Sequence, residues 1–194
     1  MILTGKFLLA TPSLNYTEFE KSVIYLLEHS EKNGSMGVII NKTMDYPLKK
    51  IFKKLKLNTK NIKNSYYNKN IVFDGGPVNP ENGFVAHQHQ KNSPINKWEQ
   101  TILNQKQGVN VTISQDIIAA IANNNGPEKY MIILGHTKWE PGQLEEEIHE
   151  NNWLVASPPE SILFDLPIQK RFDETLLSLG IKCSSKLSYE LGHA

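Results

Sequence analysis

The stretch that decides the fold is SVIYLLEHSEKNGSMGVIINK, residues 22–42. Its first half, Ser22 to His29, opens on Val23, Ile24 and Tyr25 and stays almost continuously apolar, which reads as a buried strand. Asn33-Gly34 is a strong turn signal, because both residues tolerate positive φ. Met36 to Asn41 then reads as the returning partner of a β-hairpin.

Outward from the hairpin, apolar segments alternate with turn chemistry to both ends. Phe7 to Ala10 is a strand stopped by Pro12. Pro47 to Leu55 is a helix, with Leu48, Ile51, Phe52 and Leu55 at helical spacing and lysines on the other face. Residues 56–70 form a polar Asn/Lys-rich loop. Ile71 to Phe73 is a short strand feeding Asp74-Gly75-Gly76-Pro77. Phe84 to His87 is another strand, and Val109 to Ile113 alternates like a half-buried one. Ser114 suits the N-cap of a helix over Asp116 to Ala122. Tyr130 to Leu134 is a central strand. Pro141 opens a helix with Glu145, Glu146 and Glu147 near its N-terminal half, where the macrodipole favours them. Trp153 to Val155 is a strand, and Pro167 to Leu179 a last helix that Gly180 can cap. With no repeat and no linker, the pattern is one mixed domain over residues 1–194.

Composition sets further bounds. Of 194 residues, 39% are hydrophobic and 21% charged. That balance excludes a membrane protein and a disordered chain. No run approaches the ~20 apolar residues of a membrane span. The N-terminal twelve residues do not have the layout of a signal peptide, so the chain reads as cytoplasmic. The single cysteine, Cys183, allows no internal disulfide and has no thiolate-stabilising neighbour in sequence.

The net charge is +1, yet it is unevenly placed. Residues 42–69 carry nine lysines and one acid, and residues 140–174 carry nine acids against Lys170 and Arg171. Arg171 is the only arginine beside 20 lysines. Arginine is the usual reader of guanine edges, so sequence-specific DNA binding is disfavoured. The lysine run reads either as a docking face for a polyanion or as a solvated surface, and the second is the simpler.

A set of short strings, in order along nearly the whole chain, resembles the AlgH/YqgE family of bacterial proteins. They are GKFLLATPSL (5–14), the hairpin stretch (22–42), GGPV (75–78), GFVAH (83–87), SQDIIAAIA (114–122), LGHTKWEPGQLEEEI (134–148), NNWL (151–154), ILFD (162–165) and LGI (179–181), with Gly192-His193-Ala194 at the end. Members often carry the label of transcriptional regulators. The resemblance implies an α/β fold: a single domain with a mixed, bifurcated sheet curled toward a partial barrel and helices packed outside. It implies no established reaction. Trp139, Gly142, Gln143 and Leu144 match the family pattern, whereas His136, Lys138 and Glu140 depart from it.

Four constellations are candidates for chemistry. Gly75-Gly76-Pro77 follows a strand, and its N–H groups could converge on an anion, although a plain chain reversal explains it as well. His87 and His89 share a strand face, but no Cys, Asp or Glu stands nearby to complete a metal set, so neither metal nor cofactor is expected. Ser114 and Asp116 could join a histidine (His29, His87, His136 or His193) as a hydrolytic set, yet no Gly-x-Ser-x-Gly elbow frames Ser114. Trp139 and Gln143, with Gly76 and His87, could line one small-ligand cleft; the plainer role for Trp139 is a core plug. Three functions follow in order. The first is a regulatory protein acting on a protein or small-molecule partner without catalysis. The second is a ligand- or nucleotide-binding module built on Gly75, Gly76, Pro77, His87, Trp139 and Gln143. The third is a hydrolase.

Overall fold

The structure, a computed structural model, describes residues 2–56, 71–88, 98, 101–103, 108–123, 125–157 and 159–182. His89, Cys183, His193, most of the 56–70 loop and the terminal Gly-His-Ala lie outside the described residues. The chain forms two compact units, one of Met1–Lys42 with His136–Ala194 and one of Thr43–Gly135.

The first unit is an antiparallel sheet built on the hairpin. Strands β1 (Phe7–Ala10), β2 (Val23–Ser30) and β3 (Gly34–Ile39) lie side by side. Strand β10 (Trp153–Ala156) flanks β1, and the C-terminal part of β9 (Tyr130–Trp139) flanks β3. Among the described residues, three α-helices belong to this unit: α3 (Gln143–His149), α4 (Ser161–Phe164) and α5 (Arg171–Ser178). Leu8, Ile24, Leu26, Trp139, Leu144 and Trp153 share its core.

The second unit holds β4 (Thr43–Met44), β5 (Val72–Asp74), β6 (Val78–Gln88), β7 (Thr101–Leu103) and β8 (Val109–Thr112). Among the described residues its helices are α1 (Leu48–Lys54) and α2 (Gln115–Ala122). β5 runs parallel to β9, with Val72 opposite Ile132, while β6–β8 and β7–β8 are antiparallel. The sheet is therefore mixed and the class α/β, as the resemblance implies. Leu48, Phe52, Val85, Ile117, Ile121 and Ile132 form the core of this unit.

Several boundaries differ from the sequence reading, each for a local reason. The hairpin loop is the three residues Glu31 to Asn33, because Gly34 already pairs with Ser30 as the first residue of β3. Gly34 stands at φ +84°, and a Cβ there would lie 2.2 Å from the Trp139 carbonyl oxygen. That close approach admits glycine alone. β9 does not stop at Leu134. Gly135 takes φ +75°, and the strand goes on through the polar residues His136 to Lys138 to pair with β3. β6 begins at Val78, six residues before Phe84, through a run whose Pro80, Asn82 and Gly83 are turn-forming residue types that carry no strand signal.

Ser114 occupies the N-cap position of α2, but its hydroxyl makes no cap bond. It bonds the Asp116 carboxylate instead, and that same carboxylate accepts the Ile117 N–H at 2.8 Å. The last helix starts at Arg171 rather than Pro167, after a 3-10 turn over Ile168–Lys170. It ends as expected. Gly180 at φ +82° donates to the Leu177 carbonyl and Ile181 to that of Leu176, the paired bonds of a Schellman cap.

Candidate functional site

In the first unit the polar groups gather where β3, β9 and α3 meet. A β-bulge sets the arrangement. Ile24, Leu26 and His29 pair with Ile39, Gly37 and Ser35, and the register shifts between Leu26 and Glu28. Partners two apart on β3 share a face, so the extra residue on β2 brings His29 to the face of Ile24 and Leu26. Without the bulge, Glu28 would stand there. Ser35 also pairs with Trp139, which therefore lies on the same side.

Two hydrogen-bonded clusters result. In one, His29 Nδ1 stands 2.9 Å from Ser35 Oγ, and its Nε2 stands 3.5 Å from Glu145 Oε1 on α3. In the other, Glu147 Oε2 accepts the indole N–H of Trp139 at 2.9 Å and that of Trp153 at 2.7 Å. Its Oε1 accepts the Gln143 amide at 2.8 Å, and Gln143 Oε1 accepts the Glu140 N–H at 2.9 Å. The two indoles meet edge to face with centroids 6.0 Å apart, and Phe19 closes on Trp153 in the same way. Trp139 is 4% exposed, so its ring is a core element of this unit.

A cleft of about 310 Å³, lined by Ile2, His29, Ser30, Glu31 and Lys32, opens beside the hairpin end. His29 reaches it, but Ser35 does not line it. Sequence spacing gave no sign of Ser35, Glu145 or Glu147. Cross-strand pairing and a helix packed on the sheet bring them together.

The remaining candidates belong to the second unit. The Gly75 N–H donates to the Leu134 carbonyl at 2.8 Å, and the Gly76 N–H faces Asp74 Oδ1 at 3.3 Å. A Cβ on Gly75 would lie 2.3 Å from the Gly135 carbonyl oxygen, and one on Gly135 2.3 Å from that of Gly76. The Gly75-Gly76-Pro77 segment thus packs backbone to backbone against β9, with both glycine donors engaged. His87 is buried on β6 opposite Asn110, with Nδ1 3.2 Å from the Gln88 carbonyl oxygen. Ser114 donates its hydroxyl directly to the Asp116 carboxylate, so the acid is engaged by the serine itself. Among the described residues, no three His, Cys, Asp or Glu side chains gather as metal ligands.

A model of the AlgH-like family matches residues 7–184. The chain belongs to the AlgH-like family. It is 39% identical over 198 residues to a UPF0301 protein of Variovorax paradoxus, covering all of this chain and 96% of that one. It is 40% identical to a UPF0301 protein of Legionella pneumophila, covering 99% and 97%. The solution structure of the AlgH protein from Pseudomonas aeruginosa superposes with a TM-score of 0.77 at 34% identity, over 100% of this chain and 97% of that one. A crystal structure of a protein from Corynebacterium diphtheriae shares the fold at TM-score 0.62 and 21% identity, over 83% and 78%. In this AlgH-like chain, no helix of the described residues is long and apolar enough to cross a membrane.

One titrating group on β9 makes acid sensitivity testable. His136, 7% exposed, is held below its ordinary pKa of 6.5 first by burial and then by the Lys138 ammonium. The unfolded chain takes up this proton near pH 6.5, and the folded chain only at lower pH. The contribution of His136 to stability is therefore complete above pH 6.5 and is lost as pH falls below it. Denaturant unfolding at pH 7.5 and 5.5 should show a smaller acid-induced loss in His136→Gln than in the wild type. Equal losses would assign the sensitivity to another group.

Proposed function

We propose that this protein is cytoplasmic and acts by binding a protein or small-molecule partner, as a regulator and not as a catalyst. The use of its reactive side chains supports this reading. Ser35 is 5% exposed and faces His29 rather than the cleft, and Glu147 is occupied by two tryptophans and a glutamine. These groups hold β3, β9 and α3 together.

One observation favours a hydrolase as the second reading. Ser35, His29 and Glu145 follow the order nucleophile, base, acid. Acyl transfer would also need room for a reacting carbonyl about 3 Å from the nucleophile, with donors for its oxyanion. The two readings separate in one pair of measurements. Thermal shift against metabolites and nucleotides should find a stabilising ligand, since a ligand at 100 times its Kd adds about 2.7 kcal/mol to stability. A fluorophosphonate probe should leave Ser35 unlabelled, and His29→Gln should not alter the slow background hydrolysis of a nitrophenyl ester. Stoichiometric labelling of Ser35, lost in His29→Gln, would overturn the binding reading in favour of the hydrolase.

A further inference from the structure

We infer that the exposed lysine face of α1 docks on the phosphate backbone of duplex nucleic acid without reading its sequence. This goes beyond the binding reading, whose partner is a protein or a small molecule, and adds a second kind of partner. Leu48 and Phe52 anchor one side of the helix in the core of the second unit, at 2% and 1% exposure. Lys49, Lys50, Lys53 and Lys54 on the rest of the helix, and Lys56 just past its end, are all exposed. Among the described residues none of the five forms an ion pair, and Lys50 alone has an aromatic neighbour, with its ammonium 5.4 Å from the centre of the Tyr46 ring. The first turn holds no acid. Lys49 and Lys53, like Lys50 and Lys54, stand four apart and repel each other, and the first of each pair opposes the helix dipole. A polyanion relieves each of these terms.

The same face excludes other partners. It carries no exposed large apolar side chain, since those of the described residues are Ile2, Tyr16, Ile71, Ile113 and Leu177. Protein interfaces centre on aromatic, Met or Arg anchors and are depleted in lysine. A helix that lies in a bilayer surface needs its apolar side free, whereas the apolar side of α1 is consumed by the core. Single strands need aromatic platforms for stacking. Lysine is a point charge that neutralises phosphate without selecting a base, and the only arginine, Arg171, is 4% exposed in the other unit.

Fluorescence anisotropy with a random-sequence 20-base-pair duplex tests this on the full chain. Binding is expected at 50 mM salt, equal for unrelated sequences. About five neutralised phosphates give a slope of log affinity against log salt near −4.5, a loss of roughly 10²- to 10³-fold by 200 mM. Changing the five lysines to glutamine should abolish binding without lowering Tm, because the change removes repulsion from an exposed face. Absence of binding at 50 mM, an unchanged affinity in that variant, or preferential capture by phosphatidylserine vesicles would overturn the inference. Should the duplex fail while thermal shift still finds a ligand, the binding reading stands and this inference falls.

Discussion

Glu147→Ala is expected to destabilise the protein by about 3 kcal/mol, counting 1–3 kcal/mol for each buried donor left unpaired. One carboxylate oxygen takes the indole N–H of both Trp139 and Trp153, and these rings are 4% and 2% exposed. Alanine removes the shared acceptor of both part-buried indole donors. Its better helix propensity returns only a few tenths of a kcal/mol. For a chain of this length the loss corresponds to a drop in Tm of roughly 6–12 °C. Glu147→Gln should cost about 1 kcal/mol, because its amide oxygen still accepts while the charge assistance is gone. Native-state tryptophan emission should shift in the alanine variant and much less in the glutamine one. A Tm within 2 °C of wild type for Glu147→Ala would show that the carboxylate does not hold the two indoles.

Glu147 also shows where sequence reading stops. Glu145, Glu146 and Glu147 read alike, as acids near the start of a helix. Only the packing of α3 separates them: Glu145 turns to His29, Glu147 to the tryptophans, and Glu146 to solvent. The hairpin was legible because burial and turn chemistry are local signals. The β-bulge that brings His29 to the inner face was not, since an extra residue in an apolar run leaves no periodic trace. β9 is legible in the sequence only as far as Leu134, because pairing with β3, rather than hydrophobicity, keeps His136, Thr137 and Lys138 extended. Gly75 and Gly76 were legible as a special turn. Their tight fit against Gly135 depends on a contact sixty residues away in sequence, which no local pattern encodes.

Arg171→Ala should be comparably costly, about 3 kcal/mol, from orphaned acceptors and the cavity left by the side-chain stem. In the sequence Arg171 counts only as one charge beside Lys170 and opposite Asp173 and Glu174. In the fold it is 4% exposed at the start of α5. Its Nη1 donates to the Ile40 carbonyl at 2.5 Å, and its Nε lies 3.4 Å from the Leu166 carbonyl oxygen. Ile40 directly follows β3, so the guanidinium ties the last helix to the end of the hairpin. Burial pulls its pKa down to about 10, which leaves it charged at neutral pH. Burying that charge costs free energy, and the backbone bonds offset it. Lysine cannot reproduce them, because one ammonium lacks the planar fork that reaches two carbonyls. Arg171→Lys should therefore recover less than half of the loss in Arg171→Ala. Hydrogen exchange should place the weakening in α5 and at Ile40, ahead of β1 and β2. A loss spread evenly over the first unit, or a lysine variant as stable as wild type, would show that the guanidinium does not act as this tie.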